Sequence, residues 1–412
     1  MFKALASVVL ALGHLTINKR NSMTRLIALS LIIIPFISIV TQDVIKLKSA
    51  LAFVVMLVIG LLSFYKGEFK KFSNKFALIL VGYVWLSIMM SPSSGLTFAG
   101  MSLMQFWAWK PFCYIIVYLI GIIAISSQDK IDIKLLFKTM VWVGFIMSLF
   151  IMLQLLHLDQ FFRATGSVHD QWAVGGTLGH PTFVSPFVAM IIPLAFYLKK
   201  RSMAYTMIVA VLITQSQVAI GAMALSLVFY FGCRGKKQLI ISIACLLLFT
   251  SGVVVLRQVN PEYVTSSGRF YEWKRIIKTI NSSIRVNEPG KEEVYGKYPI
   301  TGFGLGSFYY TYHVIQSEKG SACRFKQAHN EYLEWQYNCG IIGLVLLLLS
   351  IGFMYWKNFN KNEYRTVLLS SFTCIAISAG GMFVWQQGPH CLYSALIVGL
   401  LHNKIGDTNG NN

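Results

Sequence analysis

The sequence predicts an all-α integral membrane protein of about 12 transmembrane helices, or 11 on the alternative count, with one large outer loop between spans 9 and 10. Three observations lead there. Of 412 residues, 55% are hydrophobic and only 13% charged, roughly half the ~25% charge of a soluble domain. The apolar residues gather into runs of membrane-spanning length, such as Leu26–Val40, Ala50–Tyr65, Phe112–Ile125 and Gly340–Trp356. Short loops rich in Lys and Arg alternate with loops poor in them, the positive-inside pattern.

Taken in order, spans are expected near 25–42, 48–65, 76–91, 111–126, 135–156, 181–198, 203–215, 217–233, 238–256, 339–356, 366–385 and 390–402. Ahead of them, Met1–Leu15 reads as an interfacial or partly inserted helix, because no small-residue cleavage site follows it. The pair within 203–233 is short, since an ordinary span needs about twenty residues. A single helix there would put Lys199–Arg201 and Arg234–Lys237 on opposite sides. Two short helices meeting at Thr214-Gln-Ser-Gln217 keep both basic loops inside. With both termini inside, the outward segments are Gln42–Lys46, Ser91–Lys110, His157–His180, Thr214–Gln217, Arg257–Asn338 and Gln386–Pro389. Four regions follow: an N-terminal transmembrane bundle (1–256), a periplasmic or extracytoplasmic loop (257–338), C-terminal transmembrane helices (339–403) and a polar tail (404–412).

The outer loop holds eight of the sixteen acidic residues. Helical character is expected at Tyr271–Ile280 and near His329, with the polar stretch Asn281–Lys297 as a loop between them. The net charge of +20 suggests nucleic acid, but its concentration in short loops assigns it to topology instead. The seven cysteines form no Cys-x-x-Cys pair, so metal and thioredoxin-type sites are not indicated. Cys323 and Cys339 bracket the His329 segment; a disulfide between them is not expected. No Asp-x-Asp, paired carboxylate or His/Asp/Glu cluster appears in the outer loops, so neither metal nor cofactor is implied.

Four polar motifs fall in the outward segments. The run Ala328-His-Asn-Glu-Tyr-Leu-Glu-Trp-Gln-Tyr-Asn-Cys-Gly-Ile-Ile-Gly343 puts a titratable imidazole and an amide just before a span. On a helix beginning near His329, that histidine, Gln336, Gly340 and Gly343 share a stripe. Tyr332 and Leu333 flank it, while Glu331 and Glu334 point away. The glycines would let another helix or a lipid tail approach beneath the histidine. The plain alternative is a helix-start histidine followed by small-residue packing. Upstream, Ser266-Ser-Gly-Arg-Phe-Tyr-Glu-Trp273 offers Arg269, whose planar fork suits a diphosphate, and Trp273. Arg163 is followed by Gly175-Gly-Thr-Leu-Gly-His-Pro-Thr182. There His180 is either a second polar contact to substrate or a helix-start residue before Pro181. Tyr298-Pro-Ile-Thr-Gly-Phe-Gly-Leu-Gly-Ser-Phe308 does not fit Gly-x-Gly-x-x-Gly, and its glycines read as permitting tight turns against the membrane surface. His313 and His390 are also outward, without a partner, and His157 carries no specific signal.

The spacing His-Asn, nine residues, Gly340, two residues, Gly343, with the other three motifs in order, resembles the bacterial O-antigen ligase and O-antigen polymerase superfamily over roughly residues 160–400. Departures are His180 and Thr182, where asparagines are common, and Gln217, where relatives often carry arginine. The resemblance implies a metal-independent glycosyltransferase of the bacterial inner membrane with its site facing the periplasm or exterior. Its donor would be a glycan on undecaprenyl diphosphate and its acceptor a sugar hydroxyl, on the lipid A core for a ligase or on a growing glycan for a polymerase. On that resemblance Arg269 and then Arg163 would bind the donor diphosphate. His329 would deprotonate or orient the acceptor hydroxyl, and Asn330 would position the histidine or a sugar. His180, Trp273 and Tyr332 are further candidates for substrate contact. An O-oligosaccharyltransferase of the same superfamily shares these motifs. A polysaccharide or lipid transporter would instead bury ionisable groups at mid-membrane, and the spans here carry few.

Overall fold

The computed structural model describes residues 22–37, 44–69, 72–89, 98–156, 158, 174–235, 240, 269–280, 284–288, 291–295, 300–308, 312, 327–359 and 361–404. The expectations placed on Met1–Leu15, Arg163, His157, His313, Cys323, span 238–256 and the tail from Ile405 onward fall outside them. The chain is dominated by apolar helices: α1 (Ser22–Phe36), α2 (Val44–Tyr65), α3 (Lys75–Met89), α4 (Phe98–Ser127) and α5 (Ile133–Leu155) lead it. Then come α6 (Pro181–Ala189), α7 (Ile192–Tyr197), α8 (Arg201–Ile213), α9 (Gln217–Gly232) and α10 (Arg269–Ile280). The last helices are α11 (Glu331–Asn358), α12 (Glu363–Ala379) and α13 (Gly388–His402). Among the described residues, three stretches are long and apolar enough to cross a membrane, Leu47–Tyr65, Ile133–Leu155 and Glu331–Asn358, and several shorter apolar helices accompany them. Large apolar side chains such as Phe64, Leu61 and Trp356 remain exposed, as lipid-facing positions must.

The region 203–233 is two helices. Their relative direction follows from Phe196, whose ring meets Tyr205 near the start of α8 (5.9 Å) and Phe231 near the end of α9 (5.3 Å). The chain therefore returns, and Lys199–Arg201 lies at the same end as Arg234. Arg234 ion-pairs with Glu363 at the start of α12. α12 runs antiparallel to α9, held by reciprocal bonds in which Ser226 Oγ donates to Ser370 O (2.7 Å) and Ser370 Oγ to Ser226 O (2.6 Å). Small residues let these backbones meet. The same end gathers Arg365, which donates to the last carbonyls of α13. Asn403 there donates to Ile125 O and Gln128 O, and Lys357 to Ser73.

Several expected elements are revised. The span 181–198 is broken into α6 and α7, because Pro193 near the start of α7 has no N–H to continue a helix across Met190 and Ile191. α4 begins at Phe98, well before the expected 111. α12 stops at Ala379, not 385: Gly380-Gly381 ends it, and a 3₁₀ turn, Val384–Gln386, leads into α13. The stretch Asn281–Lys297, expected as a loop, contains an antiparallel hairpin, β1 (Ile284–Glu288) with β2 (Lys291–Tyr295), Ile284 opposite Tyr295 and Glu288 opposite Lys291. Its polar composition hid the Pro289-Gly290 turn signal between two short runs.

α11 is not one regular helix. Gly340 sits at φ 65°, ψ −174°, which only glycine tolerates, and splits an outer segment, 331–339, from the apolar span after it. The groups freed by the break are taken up by the glycine-rich loop. Phe303 N donates to Tyr337 O (3.0 Å), Gly304 N to Asn338 O (2.8 Å) and Ile342 N to Ile300 O (3.4 Å). The Asn338 side chain accepts from Ser307 Oγ and Phe308 N. This corrects two expectations. The shared stripe of His329, Gln336, Gly340 and Gly343 does not exist, since one continuous helix was its premise. What approaches Gly340 is loop backbone, of Ile300 and Gly302, whereas at Gly343 another helix does come close, through Tyr83 of α3, as expected. Cys339 is free and buried, facing Ser87 at 4.0 Å.

Candidate active site

His329 stands in the left-handed region, φ 51°, a conformation histidine adopts more readily than most residues but at a cost. The residues on each side hold it there. Before it, the indole of Trp273 on α10 donates to Ala328 O at 2.9 Å. After it, Asn330 is the N-cap of α11, its Oδ1 accepting from Tyr332 N and Leu333 N, both at 3.1 Å. The chain so turned carries the half-buried imidazole onto Phe383, with ring centroids 5.1 Å apart.

Phe383 belongs to the turn left by the early end of α12. It also packs on Phe183 of α6 (5.3 Å), which in turn meets His180 (5.0 Å). His180 caps α6: its Nδ1 accepts from Thr182 N at 3.1 Å and lies 2.6 Å from the Thr182 hydroxyl. Because that nitrogen accepts a backbone N–H, the proton of a neutral ring resides on Nε2. The helix-start geometry of His180 is thus present, together with proximity to the rest of the cluster. Arg269, the first residue of α10, donates from Nη1 to Gly381 O (3.0 Å) in the same turn.

Three groups from distant parts of the sequence therefore share one electrostatic environment. Burial, then the Arg269 cation, lowers both His180 and His329 to about 4, and His180 adds further to the shift of His329. Burial also pulls the Arg269 guanidinium below its ordinary value. Near pH 7 both imidazoles are neutral beside one half-buried cation. Such a cluster can hold an anion at Arg269 and accept a proton at His329.

Other predicted site residues take supporting places. The Tyr332 hydroxyl donates to Ala376 O at 2.6 Å and its ring packs edge-on to Trp385, so it is turned toward α12. His390 is fully buried against Phe187. Gln217 opens α9 and is exposed. The sequence did not mark Phe383, Phe183 or the Gly381 carbonyl as part of the cluster, and the only available signal was the Gly380-Gly381 pair inside an apolar run. It also missed Lys48, buried at 1% exposure, whose Nζ donates to Pro35 O (2.9 Å) and Thr177 O (2.5 Å) and so ties α1 and α2 to the turn before His180.

One cation, Arg269, and two histidines, His180 and His329, thus gather at the end of the helical bundle away from its basic loops. Residues 202–348 match the family model Wzy_C, described as O-antigen ligase, and the match supports membership of the O-antigen ligase superfamily. That stretch includes Arg269, Trp273, His329, Asn330 and Tyr332. The family implies a glycosyltransferase-like ligase or polymerase with lipid-linked glycan substrates. No curated protein matches the chain.

Proposed function

We propose that this protein transfers a glycan from undecaprenyl diphosphate to an acceptor sugar hydroxyl at the outer face of the bacterial inner membrane, and that it is an O-antigen ligase acting on the lipid A core. The observation that carries the reading is the convergence of Arg269, His180 and His329. The orientation rests on Lys199–Arg201, Arg234 and Arg365 at the opposite end, which the positive-inside rule assigns to the cytoplasm.

The chemistry follows from the charges. A lipid diphosphate is already a good leaving group, so what the protein must supply is a cation where negative charge develops. Arg269 does this with a forked, permanently charged group, and Arg163 is the second candidate. The acceptor hydroxyl becomes nucleophilic as its proton passes to His329. A histidine held near 4 is unprotonated and ready, though a weak base. Its low value is partly the work of the Arg269 cation. A diphosphate bound at Arg269 cancels that repulsion, so the basicity of His329 rises when the donor is in place. The energy resides in the donor bond, and no nucleotide is consumed. Asn330 positions the histidine by capping α11; Trp273 does so through Ala328.

The test uses purified protein in nanodiscs with a lipid-linked oligosaccharide, offered lipid A core or no added acceptor. Wild type and His329→Ala are compared. Transfer to the core that is lost in the variant is the expected result. Chain growth without added acceptor would make the protein a polymerase with the same site. Full activity in His329→Ala would remove the histidine from the mechanism.

A further inference from the structure

Beside the catalytic cluster, the outer segment of α11 carries two carboxylates one turn apart, the buried Glu331 and the half-buried Glu334. Residues at this spacing are neighbours on one face, about 5–6 Å between Cβ atoms. Both accept from a single amide: Gln386 Nε2 donates to Glu331 Oε2 (3.3 Å) and to Glu334 Oε1 (3.0 Å). Each also accepts one backbone N–H from a different loop. Ala328 N, next to His329, donates to Glu334 Oε2 at 3.1 Å, and Trp385 N donates to Glu331 Oε1 at 2.9 Å. Gln327 Nε2 donates in turn to Gln386 Oε1 at 2.6 Å.

These bonds join two pieces of chain that sequence separates. One is the 327–330 turn that presents His329. The other is the 381–386 turn, whose Gly381 carbonyl holds Arg269 and whose Phe383 ring meets His329. An acidic pair spent only on helix capping would bond within its own first turn. This pair faces outward from its helix to both loops.

We propose that Glu331 and Glu334, bridged by Gln386, are positioning residues that clamp the His329 turn to the Arg269-bearing turn and so set the geometry between base and cation. The proposal rests on the reading of that cluster as a glycosyl-transfer centre. Both carboxyl groups hold their protons to higher pH than an ordinary carboxylate. Burial, and then the neighbouring Glu334 charge, raises Glu331 above the ordinary carboxylate range, and burial raises Glu334 likewise. Tyr332 on the same helix and Cys391 on α13 also face Glu331, both uncharged near neutrality. Among the described residues no Lys, Arg or His ion-pairs with either carboxylate. Raising the pH deprotonates both and leaves two neighbouring anions to repel each other, which loosens the clamp.

The experiment measures transfer kinetics against pH, and amide hydrogen exchange at Ala328 and Trp385, in wild type, Gln386→Leu, and Gln386→Leu combined with Glu334→Gln. Misplacing a base by about 1 Å costs on the order of a hundredfold in rate. Gln386→Leu is therefore expected to lower kcat by roughly 10–100-fold while donor KM moves by less than about threefold, since Arg269 itself is intact. Its alkaline loss of activity moves to higher pH, because the lost amide had favoured the charged carboxylates. The double variant restores an amide beside Glu331 and recovers much of the rate. Exchange at both Ala328 and Trp385 quickens in Gln386→Leu and returns toward wild type in the double variant. Should Gln386→Leu not accumulate, Gln386→Met, of similar length but without N–H donors, carries the same comparison. Wild-type kcat, pH profile and amide exchange in the Gln386 variant would overturn the clamp. If wild type transfers glycan to no acceptor, the functional reading fails, and the exchange data alone decide the clamp: unchanged protection at Ala328 and Trp385 refutes it, faster exchange at both supports it.

Discussion

Replacing Gly340 with alanine strikes the junction on which the candidate site hangs. The residue sits at φ 65°, ψ −174°, in a region essentially reserved for glycine, and placing a side chain there costs about 1–3 kcal/mol in backbone strain. A Cβ would also collide with the carbonyl of Ile300 and the amide nitrogen of Gly302. These are backbone atoms, and they cannot rotate away. The loop must withdraw, which puts at risk the bonds from Phe303 N, Gly304 N and Ile342 N, each contributing about 0.5–1.5 kcal/mol. A total loss of roughly 3–5 kcal/mol is expected, in the range reserved for specific structural damage. Gly352→Ala is the internal control. It lies in the same helix with nothing within 4 Å of an added Cβ, so alanine there is neutral or stabilising by about 0.5–1 kcal/mol. Thermal unfolding in one detergent, followed by size-exclusion chromatography, compares the two. Gly340→Ala should melt well below wild type and lose transfer activity, with Gly352→Ala at or above wild type. Equal melting of the two variants would refute the account of the break at Gly340.

Three further outcomes are expected. His329→Gly should be more stable than His329→Ala by about 1 kcal/mol, because φ 51° suits glycine, while both lose activity; chemical denaturation and transfer assays check this. At low donor concentration kcat/KM, which reports the free enzyme, should hold from neutrality down to about pH 5 and fall as pH approaches 4, where His329 takes up a proton; in the residual activity of Arg269→Gln, which lacks the repelling cation, this acid limb should shift upward. The sign for stability is the same: the native histidines bind fewer protons than the unfolded chain between 6.5 and about 4. Their contribution is present above 6.5 and lost as pH falls through that window, so acid melting curves should steepen there. Asn330→Ala should cost about 1 kcal/mol through loss of the N-cap and Asn330→Asp much less, measured by thermal shift.

Membrane character, the positions of many of the helices, the separation of 203–233 into two and the identity of the motif residues that converge were all legible in the sequence. Hydropathy reports which segments avoid water, and helical spans satisfy their own backbone bonds, so these features are local. Arg269, His180 and His329 were likewise legible as residues, because order and spacing survive in the chain. What the tertiary structure decided depends on contacts across long sequence separations. The same apolar run that suggested a span to 385 breaks at Gly380 and supplies Phe383 and the Gly381 carbonyl to the cluster. The left-handed backbone of His329 follows from bonds made by Trp273 and Asn330 on its two sides. The break at Gly340 is stable only because the loop from Ile300 to Phe308 returns to accept and donate its freed bonds. The joining of Glu331 and Glu334 to Gln386 likewise spans more than fifty residues. A buried polar group must find its partner somewhere, and only the folded chain shows where.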